Sequence, residues 1–480
     1  MSQIAAIALL ALRNVVRSRV ILALSALLFA ATFLLPLAIQ GDGTPEGLIR
    51  IHLSYSLGIA AFLLALATLW SGCAAVSQEA DDKTLQLLLV KPVPRLRIWL
   101  GKWLALLVVD ALLIALTGGL ALATLHHKLR RGGFAPDDLA RARQTTLAAL
   151  ETHRAPLPDV EYRVFREYEK LRDSHRLPDA PESAILDSIR QSLLARLYSL
   201  PPGTEFIWNF GRLDPVPDTL LVQLKCESSR PGAAFTNASL ALHLTHNAPP
   251  KFQKIPRMID LTPGILQTIV FTNLADDAEA HDPLRCSVTL FNGFDPDATL
   301  FFDPEAGLVL REPRGTFAGN YLRALAQLFF RLALFAAIGV TLGTLFSMPV
   351  ATFLTLVLIV ILQLSGFVSA AAQVDRATFV ANVAPFGADA HAHGAEKPAP
   401  PSLAARAAAT VLFYAYRGTY LALRPLLDNR TIDDLSSGTF IPPGTVARDL
   451  LRQALLLPFF LALLSTAVLR RREWAIPAIN

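Results

Sequence analysis

The side chains able to do chemistry in this 480-residue chain are few. Most are charges set in or beside apolar runs. Asp110 lies well inside one such run, where its carboxylate is available to pair with a cation or to relay a proton. Arg323 and Arg331 fall in another. A charge in hydrocarbon normally faces protein, water or a headgroup, so Arg331 either lines a path or snorkels toward the outer interface, the second being favoured. Asp110 and Arg331 are therefore the candidate pathway charges. Asp389, His391, His393 and Glu396 place metal-ligand side chains close together, yet no helix or strand is expected to present them. A flexible linker is the favoured reading, and no metal is expected. His126 and His127, beside Lys128 and Arg130, read as interfacial residues. Cys226 and Cys286 form a candidate disulfide, subject to whether their Cβ atoms meet. Cys73 lies in an apolar run and reads as inert.

Catalytic constellations are missing from the sequence. No G-x-S-x-G, no H-E-x-x-H and no compact His, Asp and Ser grouping occurs. There is no G-x-x-x-x-G-K-[ST] either. Gly101-Lys102 is followed by Trp103 at a membrane edge, so it has no part in holding a nucleotide phosphate. No catalytic residue is assigned, and the chain is read as a non-enzyme without an ATPase or cofactor of its own.

Composition explains why the charges stand out. The chain is 53% hydrophobic and 17% charged, with a mean hydropathy of +0.42, which is the balance of an integral membrane protein. The formal charge of +5 is spread over membrane flanks and a mixed-charge region, so nucleic acid is not expected as a partner. The spacing of apolar runs predicts an α-helical polytopic protein with about six transmembrane helices and a large α+β extracytoplasmic domain between the third and fourth.

In chain order, residues 1–19 read as a retained interfacial helix with Arg13, Arg17 and Arg19 on its polar side. Residues 20–125 hold three spans, at 20–39, 51–76 and 98–125, with a charged insert at 77–98. Residues 126–319 form the extracytoplasmic domain. It is helical over 135–200, with helices at 137–152, 159–173 and 182–198, and β-rich and sandwich-like over 204–315. Residues 320–372 hold spans four and five, turning at Ser347-Met348-Pro349. Residues 373–449 return outside and include a half-inserted helix at 404–416. Residues 450–480 hold the sixth span, through Pro458, and a basic tail. Parity and the positive-inside bias put both termini in the cytosol.

The insert from Ser77 to Lys102 organises the rest. Ser77 reads as an N-cap with Glu79, Asp81 and Asp82 in the first turn. Leu85, Leu88 and Leu89 then share one face until Pro92 and Pro94 end the helix. Arg95, Arg97 and Lys102 mark the cytosolic side.

Glu79, Thr84, Leu87 with Leu88, Pro92 with Arg95, and Gly101 with Lys102 together resemble the cytoplasmic loop of type 2 ABC transporter permeases, the membrane subunits of ATP-driven exporters. Lys83 stands where that family usually has glycine. The Ser-Pro turn at 347–349 and the basic tail are similar to the family as well. The resemblance does not cover the large insertion. It implies a permease subunit of an ABC exporter, with Glu79, Thr84, Leu87, Leu88, Pro92 and Arg95 as the coupling residues. It also implies a cytosolic ABC ATPase carrying ATP and Mg, and a homodimer or a heterodimer with a similar permease, in membrane lipid. The plasma membrane, a bacterial inner membrane, is the expected location. The alternatives are a connector loop in place of the coupling helix, a binding or scaffold protein acting through the outer domain, and an envelope polymer-modifying enzyme.

Overall fold

The computed structural model describes residues 3–38, 43–82, 93–156, 160–174, 177, 182–213, 217–230, 235–245, 252–272, 274, 284–292, 298–304, 307–363, 376–383, 403–427 and 430–471. The chain divides into two compact units, Met1–Leu147 with Thr316–Asn480, and Ala148–Gly315.

The first unit is helical. Helix α1 (Gln3–Arg17) and α2 (Arg19–Ala38) meet at a 67° bend around Ser18. Helix α3 (Pro45–Asp81) opens with Thr44, whose Oγ1 accepts from the Gly47 N–H, with Pro45 and Glu46 in the first turn. The three features favour a helix start, so α3 begins six residues ahead of the expected span at 51. It also runs past the expected end at 76. Ser77 is not an N-cap: it lies inside α3 and its Oγ donates to the Cys73 carbonyl at 2.7 Å. Neither Pro nor Gly interrupts Val76 to Glu79, so the helix propagates and the hydroxyl bonds back one turn. Helix α4 (Arg95–Arg131) and the short α5 (Pro136–Thr145) follow.

The second unit carries the strands. Strand β1 (Ala148–Arg154) precedes α6 (Val160–Asp173) and α7 (Glu182–Leu197), then come β2 (Ser199–Leu200), β3 (Glu205–Leu213), β4 (Leu220–Leu224) and β5 (Cys226–Ser228). After these lie β6 (Phe235–Thr245), β7 (Phe252–Leu261), β8 (Gln267–Phe271), β9 (Leu284–Phe291), β10 (Leu300–Phe302) and β11 (Leu308–Thr316). They form three sheets, ordered β1-β11-β4-β8, β2-β10-β5 and β3-β9-β6-β7. One apolar core joins them, with Leu220, Leu240, Leu290 and Leu300 almost wholly buried beside Trp208 and Phe302. The unit starts at Ala148, later than the expected boundary at 126, because Ala142 and Leu147 pack with Ile49, Leu53 and Tyr321 of the helical unit.

Several segments differ from their sequence reading. The helix expected over 137–152 stops at Thr145, and 148–154 is a strand with Ala149 and Leu150 fully buried. Strand pairing and burial override a weak local helical preference there. Strand β7 carries Pro256, which is tolerated because β7 is an edge strand, where a missing N–H costs no ladder bond. Pro313 similarly lies beyond Arg311, the last residue of β11 paired with β4.

Cys226 and Cys286 do not form the candidate disulfide. Both are free thiols buried in the shared core, one on β5 and the other on β9, in different sheets. Burial pushes the Cys226 thiol up to about 11 and the Cys286 thiol up to about 12.

The chain returns to the helical unit through α8 (Phe317–Leu345), capped by Thr316 Oγ1 on the Gly319 N–H. Helices α9 (Met348–Gln363), α10 (Arg376–Val383), α11 (Leu403–Leu427) and α12 (Thr431–Ser436) follow. Helix α13 (Pro443–Asp449) continues through a π-helical stretch, Leu450–Leu456, into α14 (Leu457–Arg471). The π stretch directly precedes Pro458, whose missing N–H frees a carbonyl one turn back. The half-inserted helix expected at 404–416 extends to Leu427, and Phe379 of α10 packs on its Phe413.

Among the described residues, four helices are long and apolar enough to cross a membrane: Pro45–Asp81, Arg95–Arg131, Phe317–Leu345 and Pro443–Arg470. Counting the bent α1–α2 pair as one span makes five. About six were expected. The described part of the sixth, α9, has 16 residues, roughly 24 Å of helix against a hydrocarbon layer of about 30 Å. The Ser347 turn between α8 and α9 lies where the sequence puts it.

Helix α8 is the axis of this unit, and glycines set how closely it is approached. A Cβ on Gly72 of α3 would stand 2.9 Å from Gly339 Cα, and one on Gly343 would stand 2.5 Å from the Cys73 carbonyl oxygen. Such spacing needs residues without side chains. Around the crossing, Trp103 Nε1 donates to the Ala333 carbonyl at 2.9 Å and Tyr321 Oη to the Gly118 carbonyl at 2.8 Å.

Two outcomes follow for this architecture. Gly343→Val should lower the thermal stability of the detergent-solubilised chain by about 1–3 kcal/mol through overpacking, while Gly119→Val, with open space around its Cβ position, should leave it unchanged. Equal melting curves would refute the close crossing. At pH 8, iodoacetamide should leave Cys226 and Cys286 unmodified in the native chain and modify both in denaturant without reductant. Resistance in denaturant would reveal a bridge.

Candidate functional site

The insert emerges between the last turn of α3 and the first of α4. Glu79 lies in that last turn of α3, where the helix dipole disfavours an acid. The compensating cation is Lys102: its Nζ is 2.6 Å from Glu79 Oε2 and also donates to the Ala75 carbonyl. Only 2% of the Lys102 side chain is exposed, against 18% for Glu79. Lys102 was expected to sit as an interfacial cation. It is instead a buried partner that faces Ala75 and Glu79 of α3, while α1 packs on its neighbour Gly101. Ile7 of α1 lies so near Gly101 that a Cβ there would come within 2.7 Å of Ile7 Cγ2, and Arg97 Nη1 donates to Gln3 Oε1 at 2.6 Å. Trp99 and Trp103 stack at 5.7 Å on the same helix.

The pair thus ties the two ends of the insert together at its base. Of the candidate coupling residues, Glu79 ends α3 and Arg95 begins α4. Thr84, Leu87, Leu88 and Pro92 lie outside the described residues, as do Leu85 and Leu89 of the expected amphipathic face. So do Asp389, His391, His393 and Glu396.

Asp110 is 4% exposed on the inner side of α4. Its Oδ1 accepts from Thr68 Oγ1 at 2.7 Å, and its Oδ2 is buried with no hydrogen-bond partner among the described residues. The carboxylate thus joins α4 to α3 with one acceptor site left over. A group in this state holds a charge only at high cost inside a bundle.

Arg331 is not near the outer end of its helix: it is the middle residue of the 29-residue α8 and half-buried. It borders an apolar pocket with Leu57, Leu64, Ile114 and Phe335. It also borders a polar cavity of about 170 Å³. The other charges of that cavity are Arg430, Asp434, Arg448 and Asp449, from α12, α13 and the residue before α12. Arg323 is engaged with protein: its guanidinium lies 5.0 Å over the Phe440 ring, and Nη1 donates to the Ile441 carbonyl at 3.3 Å. Beside it Asn320, fully buried, donates to the Thr439 carbonyl and accepts from the Ile441 N–H, both at 2.8 Å. These bonds dock the segment after α12 onto α8, which builds the cavity wall.

In the strand-rich unit, Glu151, His153 and Glu312 bring three metal-ligand groups together, their ligand atoms all within 4.8 Å of one another. Arg314 sits among them, with Nε 2.8 Å from Glu151 Oε2 and 3.0 Å from Glu312 Oε1, while His153 Nε2 is 3.2 Å from Glu312 Oε2. Both oxygens of buried Glu312 are therefore engaged, and the Arg314 guanidinium lies between the two acids. The group fastens β1 to β11, the strands by which the chain enters and leaves this unit. Sequence reading missed it, because 159 residues separate His153 from Glu312 and the segment of β1 was expected to be helical up to residue 152.

Removing Glu79 alone should be costly, since Lys102 would remain buried without a counter-charge. Glu79→Gln is expected to destabilise the chain by about 3–5 kcal/mol, and Glu79→Gln with Lys102→Met to recover most of that loss. A thermal double-mutant cycle reads the coupling. Additive losses would mean that the pair is not coupled.

No curated protein and no solved structure matches the chain. A match does exist to a family model, over α1 to α4, the insert and most of α5. Residues 5–141 of the chain are similar to the family model described as ABC-2 family transporter protein.

Proposed function

We propose that this chain is the permease subunit of an ABC-type exporter, forming the membrane pathway and driven by a separate cytosolic ATPase that supplies ATP and Mg. The observation that carries the reading is the buried Glu79–Lys102 pair at the base of the insert, within the segment that matches the family. An ATPase that docks on the insert can move helices only if the insert is firmly joined to them. A buried ion pair between its two ends makes α3 and α4 respond together.

In this reading Glu79, Thr84, Leu87, Leu88, Pro92 and Arg95 form the docking face. Both termini are cytosolic and the strand-rich unit is extracytoplasmic. The working assembly is a homodimer, or a heterodimer with a similar permease, together with ATPase subunits, in a bacterial inner membrane. Asp110 and Arg331 are the charges that a passing solute would meet. The strand-rich unit serves as a contact for cargo or an envelope partner.

Gentle affinity purification of the tagged chain from native membranes, followed by mass spectrometry and an ATPase assay, tests the coupling. A Walker-motif subunit should co-purify and be lost when Glu79 and Leu88 are both changed to Ala. A chain that purifies without any ATPase would sink the proposal and leave a binding or scaffold protein acting through its outer unit.

A further inference from the structure

The polar cavity beside Arg331 has a composition unlike the rest of the helical unit. Three arginines, Arg331, Arg430 and Arg448, face it against two aspartates, Asp434 and Asp449, an excess of one positive charge. The arginines come from three separate stretches of chain: the middle of α8, the residue before α12, and α13. Asp449 is held by Gln327, whose Nε2 donates to its Oδ2 at 2.7 Å. A volume of about 170 Å³ admits an anionic group of phosphate size together with waters. Guanidinium forks suit such a group, because they donate two parallel hydrogen bonds to phosphate or carboxylate oxygens.

The neighbouring pocket supplies the second half of the argument. It shares Leu328 and Arg331 with the polar cavity and is otherwise walled mainly by apolar side chains such as Leu57, Leu64 and Phe335. Charge and apolar wall therefore meet at one side chain. A free anion would use only the polar half, whereas an amphiphile uses both.

We propose that this cavity binds the anionic head of a membrane amphiphile, a phosphate or carboxylate held by Arg331, Arg430 and Arg448, with the first part of its tail against the apolar pocket. The binding is independent of whether the chain couples to an ATPase. It applies equally to a resident lipid and to a transported one.

Native mass spectrometry of the purified full chain in a neutral detergent, given equal amounts of phosphatidylglycerol and phosphatidylcholine, tests it. Phosphatidylglycerol should be retained in preference. Arg430→Gln and Arg448→Gln, both at exposed positions and so little threat to folding, should each weaken its retention about tenfold, the effect of one charge-assisted contact. Asp449→Asn should strengthen it by removing an opposing charge. Equal retention of the two lipids, or retention indifferent to all three substitutions, would overturn the assignment. So would displacement of phosphatidylglycerol by inorganic phosphate at comparable concentration, since the tail would then contribute nothing.

Discussion

The helical unit depends on how closely two helices approach. Gly72, Gly339 and Gly343 let α3 and α8 meet backbone to backbone, and no larger residue fits between them. In a bilayer there is no hydrophobic drive between apolar helices, so close dispersion contact and a few hydrogen bonds must hold the bundle. The crossing provides the first. Trp103 on Ala333, Tyr321 on Gly118, and Thr344 with Ser465 at 2.9 Å provide the second, and all three bonds end on α8. With α8 fixed in this way, its middle residue, Arg331, is held where a polar cavity and an apolar pocket adjoin.

The polar groups of the bundle divide by what satisfies them. Lys102 has an acid and a carbonyl, and Asn320 uses both ends of its amide on the segment after α12. These are fully engaged and hold elements in place. Asp110 retains an oxygen with no hydrogen-bond partner among the described residues. A buried group that is incompletely satisfied is costly to keep in a fold, which makes Asp110 the least settled point of the α3–α4 contact. The two polar groups stand on the same helix: Lys102 closes the insert's base, and Asp110 lies two turns further along α4.

The strand-rich unit has its own logic. Its core is built from three sheets, and its entry and exit strands, β1 and β11, are neighbours clasped by Glu151, His153, Glu312 and Arg314. The pairings Glu151 with Arg314 and His153 with Glu312 keep one antiparallel register, because two steps forward on β1 match two steps back on β11. An inserted unit of this kind keeps its two ends together.

What the sequence determined alone was whatever depends on local composition. The apolar runs, the breaks at Ser347 and Pro349, the charged insert and its family resemblance were legible because a membrane segment must satisfy its own backbone within a fixed length. The acid at Glu79 and the base at Lys102 were legible as residues. Their pairing was not, nor was the burial of Lys102, because both required α3 and α4 to pack side by side. Ser77 was read as a cap from its type, yet helix propagation from Thr44 decided otherwise. That Pro256 sits in an edge strand was not legible, because a sequence does not say which strand is at an edge. Two strand cysteines suggested a bridge, yet both are free thiols in the shared core. The polar cavity and the clasp on Glu312 join residues far apart in the chain, and only packing brings such groups together: the energy that positions them comes from contacts between segments, which no local pattern records.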